Sequence, residues 1–318
     1  MAFTMEKAVR SALLDCMALK KSETVLVVTD DGTMDVGLAL YKAAQIYGKS
    51  AQLVTMRPAR VNGEEPPAPV AQLMSLYDVV LCPTKMSLTH TDARREACKT
   101  GTRVATLPGI SKDVFLRTLQ ADYNKIAERT IKMKKLLDNA SIAHITTQIG
   151  TDLKLPIQQF SAIASTGLIL EKGKGGNLPS GEAFMAPDEG KTSGRLVVDA
   201  SIAGIGKLKN PIIIDIENGS AIKFSGGQEA DQFEKMLAEY GAPAFKVAEL
   251  GVGSNEAAII TGNILEDEKV FGTIHIAFGN NIGMGGTNNV SIHCDGVVTK
   301  PDMWLDEKQI IKNGKWLI

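Results

Sequence analysis

Two histidines and an aspartate near the end of the chain have the types and spacing of a metal site. In Phe271-Gly272-Thr273-Ile274-His275-Ile276-Ala277-Phe278-Gly279, Thr273, His275 and Ala277 alternate with apolar Ile274, Ile276 and Phe278. That is a strand pattern with His275 in the middle of one face. In Ser291-Ile292-His293-Cys294-Asp295-Gly296, His293 and Asp295 stand two apart. Residues i and i+2 of a strand leave the same face, so imidazole and carboxylate point the same way and Cys294 points the other. Between the two stretches lies a glycine- and asparagine-rich segment, residues 279–289, which can fold back without steric cost. A sheet histidine taken alone needs only a hydrogen-bond partner. Two imidazoles and a carboxylate on neighbouring strands make a first shell for a divalent transition metal.

Further carboxylates stand in unusual settings. Glu182 sits in Gly176-Asn177-Leu178-Pro179-Ser180-Gly181-Glu182-Ala183-Phe184-Met185-Ala186-Pro187, which reads as a turn bracketed by glycine and proline. Glu249 lies in the apolar and glycine-rich run Ala248-Glu249-Leu250-Gly251-Val252-Gly253. An ionised carboxylate among apolar residues is costly unless it is paired or bound to a cation. Glu266-Asp267-Glu268-Lys269 reads as a solvated turn, with Glu268 close enough to His275 to serve as a general base. His90 follows a strand and opens a helix, where it could touch a substrate. Thr29-Asp30-Asp31-Gly32-Thr33 is a cap and turn: it has one glycine, and its aspartates would repel phosphate.

The elements that must position these groups fall into two patterns. Helices over residues 5–19, 34–47, 69–76 and 91–100 alternate with short apolar strands over 23–30, 51–56, 78–83 and 103–108. Such alternation implies a mostly parallel sheet covered on both faces. A long amphipathic helix over 121–140 follows, and then the period changes. Strands are expected over 142–147, 153–156, 195–199, 211–217, 221–224 and 246–251, with Asn218-Gly219 as a hairpin turn and a helix over 229–240. The chain is therefore expected to be α/β, with an α/β domain over 1–140 and a strand-rich α+β metal-binding domain over 141–318.

Thirty-five basic residues balance 36 acidic ones, which gives no sign of a nucleic-acid partner. No apolar run is long enough to span a membrane, and the N-terminus lacks a signal-peptide core. Cys16, Cys82, Cys98 and Cys294 are scattered, as reduced thiols in a cytoplasmic protein would be.

The phrases NLPSGEAFMAP, AELGVGSN, ILEDEKVFGTIHIAFG and IHCDGVV, in this order, resemble the aminopeptidase T-like metallo-aminopeptidases, the M29 family. The likeness covers most of the chain and is specific over residues 176–298. It implies an α/β domain followed by a mainly β metal-binding domain, a homodimer, and two divalent metal ions (Zn, Co or Mn). Carried over residue by residue, the metal ligands would be Glu182, Glu249, His275, His293 and Asp295. One departure stands out. The family places a catalytic tyrosine a few residues after the first histidine, and residues 279–286 here are shorter and contain none.

Three readings follow. In the first, a metal-dependent aminopeptidase, metal-activated water removes N-terminal residues from peptides, with Glu268 as base and an amide such as that of Asn281 holding the oxyanion. The second takes its lead from the same superfamily, which includes 2,5-dihydroxypyridine ring-cleaving dioxygenases. Here His275, His293 and Asp295 hold one Fe(II), and Glu182 and Glu249 stand behind them or touch a small-molecule substrate. The third is a degenerate member that only binds a ligand. The intact five-residue set favours an enzyme, and the resemblance favours the aminopeptidase.

Overall fold

The alternating N-terminal helices and apolar strands build the parallel sheet their pattern predicts. In the computed structural model, which describes residues 4–318, the sheet order is Ser50–Met56, Thr24–Asp30, Val79–Thr84, Arg103–Pro108, Gly175–Asn177, all parallel. Every residue of Val79–Thr84 is buried, as a strand covered on both faces requires. Helices Met34–Tyr47, Ala68–Met74, Asp92–Lys99 and Lys112–Thr118 accompany it. Two of these start on hydroxyl caps: Thr91 accepts from Arg94 N and Ser111 from Val114 N. The expected first helix is α-helical only over Met5–Arg10 and continues as a π-helical segment over Ser11–Cys16. Asp30 closes the turn after the first strand by accepting from Gly32 N and Lys85 N, which is the structural role expected of that segment.

The strand-rich part forms two antiparallel sheets. One runs Ser220–Ser225, Ile212–Glu217, Ser193–Val198, Asp152–Pro156, Ile142–Thr146, Asp302–Leu305, Lys308–Lys312, Lys315–Trp316. Its first hairpin turns at Asn218 and Gly219, both at positive φ (47° and 73°), the conformation a type I′ turn needs. The other runs Gly206–Lys207, Ser201–Ile202, His293–Val298, Ile274–Gly279, Val247–Gly253, Glu182–Met185, Ile163–Ser165. Leu196, Ile214, Phe233, Leu250, Ile276, Phe278 and Met303 lie in one apolar core.

The chain divides into two compact units. The first runs to Ala127 and takes in Ser165–Ser180; the second comprises Glu128–Ala164 and Gly181–Ile318. This partition differs from a single boundary near Ala140 in two ways. Most of the helix Tyr123–Asp138 belongs to the second unit, and a later segment returns to add Gly175–Asn177 to the parallel sheet. Among the described residues no helix is long and apolar enough to cross a membrane.

Candidate metal centre

Strand register brings the metal-type residues onto one face of the second unit's seven-stranded sheet. Ala277 stands opposite Asp295 on one side and Glu249 on the other. His275 is opposite Gly251 and Val297, Gly279 opposite His293, and Gly253 opposite Glu182. Residues paired across a sheet share a face, so Glu182, Glu249, His275, His293 and Asp295 converge above Ala277, whose methyl leaves the floor open. Glu182 is the first residue of the strand Glu182–Met185, not part of a turn. Cys294 points into the apolar core, as alternation predicts.

Two glycines make the approach possible. A Cβ at Gly251 would lie 1.9 Å from His275 Nε2, so the imidazole occupies the space a side chain would need. A Cβ at Gly253 would lie 2.1 Å from the Val270 carbonyl oxygen, which lets the segment bearing Glu268 and Lys269 pack against the strand.

The contacts are short and mostly buried. His275 Nε2 lies 3.2 Å from Glu249 Oε1 and 3.5 Å from Glu182 Oε2. His293 Nε2 lies 3.2 Å from Glu249 Oε2 and 3.5 Å from Asp295 Oδ1. His293 Nδ1 sits 2.7 Å from the Asn280 carbonyl oxygen, to which it donates, and that fixes the tautomer that leaves Nε2 as the ligand atom. The glycine- and asparagine-rich segment therefore aims His293. The His293 side chain keeps 32% of its surface exposed while His275 is fully buried, so the His293 side is the more open side of the centre.

The charge balance calls for a cation. Burial opposes the charged form of His275, but its hydrogen bond to Glu249 and the charges of Glu182, Glu249 and Asp295 raise it to about 9. Burial likewise opposes charge on His293, yet Asp295 and Glu249 push it well above the usual imidazole value. Glu249 is lowered: burial works against its carboxylate, and the two imidazoles outweigh that. Without an ion, protons on the histidines must balance the acids. Two buried atoms, Glu182 Oε2 and His275 Nδ1, have no hydrogen-bond partner. Ligand-type atoms of Glu249, His293 and Asp295 lie within 4.8 Å of one another, as do those of Glu182, Glu268 and His275. Oxygen and imidazole donors packed this way fit a divalent transition metal.

The segment Glu266-Asp267-Glu268-Lys269 is not a solvated turn. Glu266, Asp267 and Lys269 are fully buried. Glu266 accepts from Ile259 N, and Asp267 from Thr261 N and Gly262 N, so these acids hold the preceding loop. Lys269 Nζ lies 2.8 Å from Glu182 Oε1 and also pairs with Glu268 Oε1. Burial pushes Glu268 up to about 8, helped by Glu182 and Asp295 and opposed by Lys269. Charge patterning hides Lys269, because a run of charged residues reads as surface.

The two expected substrate contacts are placed differently. Asn281 is buried, donates from Nδ2 to Glu189 Oε1 at 2.9 Å and accepts from Asn288 N at 2.8 Å. Its amide is committed to holding the loop. His90 lies in the first unit, exposed, with its carbonyl accepting from Arg95 Nη1.

The family model for 2,5-dihydroxypyridine 5,6-dioxygenase, NicX, matches residues 4–318. The chain belongs to this family. The 2,5-dihydroxypyridine 5,6-dioxygenase of Pseudomonas putida KT2440 is 26% identical over 242 residues, which span 72% of this chain and 68% of that protein. The solved structure of 2,5-dihydroxypyridine dioxygenase from the same organism shares the fold with a TM-score of 0.82 at 21% identity, over 99% of this chain and 98% of that one. Wild-type AmpT from Thermus thermophilus, an M29 aminopeptidase, shares it with a TM-score of 0.70 at 17% identity over the whole of both chains. The fold implied by the sequence phrases is thus shared, while the family is NicX and not M29. NicX membership overturns the aminopeptidase, hydrolase and protease reading in favour of an oxidoreductase of the dioxygenase type.

Proposed function

We propose that this NicX-family chain is a ring-cleaving dioxygenase of the 2,5-dihydroxypyridine type that uses one Fe(II). The observation that carries the reading beyond family membership is the fixed tautomer of His293 beside Asp295, on the strand next to buried His275. These are two imidazoles and one carboxylate on adjacent strands, the donor set of a mononuclear iron oxygenase. His275, His293 and Asp295 would hold the ion, and iron there would supply the redox chemistry that brings dioxygen to a dihydroxylated ring.

The surrounding groups do the rest. Glu249, in contact with both imidazoles, orients them. Glu268 is less buried than Lys269, with a side-chain exposure of 14% against 1%, and is the carboxylate placed to exchange a proton with a ring hydroxyl. Apolar neighbours beneath the face, Ile276 and Phe278, keep water from the buried side.

The test is anaerobic loading with Fe(II), then admission of oxygen with 2,5-dihydroxypyridine present. The expected result is bleaching of the ring chromophore matched by oxygen uptake, with about one iron per chain. His293→Ala and Asp295→Ala are expected to lose iron and turnover while remaining folded. Full turnover in either variant would remove those residues from the site. Absence of oxygen uptake by the iron-loaded wild type on any dihydroxypyridine would defeat the functional reading.

A further inference from the structure

The Glu182–Glu268–His275 group and the Glu249–His293–Asp295 group each have the makings of a cation site, yet only the first has an ammonium built into it. Lys269 Nζ sits between Glu182 Oε1 and Glu268 Oε1, and no part of the residue reaches solvent. Its backbone is pinned: Lys269 N donates to the Glu266 carbonyl, and the Lys269 carbonyl accepts from Asn255 N, both at 2.9 Å. Gly253 is what lets this segment lie so close, since any Cβ there would strike the Lys269–Val270 peptide. The lysine is therefore a fixed part of the centre, not a side chain that swings in.

We propose that Lys269 occupies the cation position between Glu182 and Glu268, leaves His275 to the single ion, and keeps the centre mononuclear. The inference rests on the single-iron reading above and gives it a cause within the chain. Lys269 pairs with Glu182 and Glu268, while Glu249 and Asp295 pair with the histidines and remain for one divalent ion. A second ion bound through Glu182 and Glu268 would have to take the oxygens Lys269 already holds, and would face its charge at contact distance.

The test is metal stoichiometry of the full chain, with Mn(II) and Co(II) as air-stable probes, read by elemental analysis and by equilibrium dialysis. Wild type and Lys269→Arg are expected to bind one equivalent, and Lys269→Met, which keeps the length and loses the charge, is expected to bind two. A single equivalent in folded Lys269→Met overturns the proposal and leaves the dioxygenase reading intact. Two tight equivalents in wild type also overturn it, and that measurement decides the matter if Lys269→Met does not fold. No tight equivalent in wild type would instead remove the metal centre itself.

Discussion

At the scale of single residues the centre depends on what is missing as much as on what is present. Gly251 has no side chain, and His275 lies in the space one would fill. Gly251→Ala is expected to turn the imidazole away and weaken metal binding by roughly 10–100-fold, the usual cost of disturbing a ligand's support. Competition with a chelator would measure it, alongside an unchanged circular dichroism spectrum. An affinity equal to wild type would show that His275 is not a ligand. His275, His293 and Asp295 stand out in the sequence by strand alternation, and Glu182 and Glu249 by the cost of an acid among apolar residues; both are local rules, readable from a few neighbours. Lys269 was not legible. Its burial depends on carboxylates contributed from elsewhere in the chain, and on Glu266 and Asp267 turning inward to bond backbone amides.

At the scale of elements, the segment between the histidine strands is held by one acid. Glu189 accepts from Asn281 Nδ2 at 2.9 Å and from Thr287 N and Oγ1, each at 2.7 Å, and the segment's Asn280 carbonyl in turn aims His293. Burial raises the Glu189 carboxyl, but these hydrogen bonds win and hold it below the usual carboxylate value. A depressed folded-state pKa stabilises the fold above the unfolded value near 4.5 and ceases to do so as pH falls through the folded value. Glu189→Gln should therefore melt below wild type at neutral pH, with the gap narrowing as pH drops under about 4.5. Calorimetry across that range checks it, and a gap independent of pH would contradict the assignment. The same variant should weaken metal binding through His293. Most elements were visible as periodic runs, down to the Asn218-Gly219 turn. The strand beginning at Glu182 was not, because glycine and proline around it signal a turn, and its pairing with Val247–Gly253 is long-range.

At the scale of the molecule, the sequence pattern conveys an α/β part followed by a strand-rich part, and the fold agrees. The return of Ser165–Ser180 to the first unit was hidden, since Gly175–Asn177 is three residues long and has no apolar side chains to mark it as a strand. Peptidase and dioxygenase branches share the fold, so metal-type residues alone could not separate them. The segment without a tyrosine was the local sign of divergence, and NicX membership decides the branch. The central claim is insertion of dioxygen into a dihydroxylated nitrogen ring. Turnover of 2,5-dihydroxypyridine by the Fe(II)-loaded chain under ¹⁸O₂, followed by mass spectrometry of the product, tests it most directly. Both atoms of one oxygen molecule are expected in a ring-opened product. A product carrying label from water alone, or one with the ring intact, would contradict it.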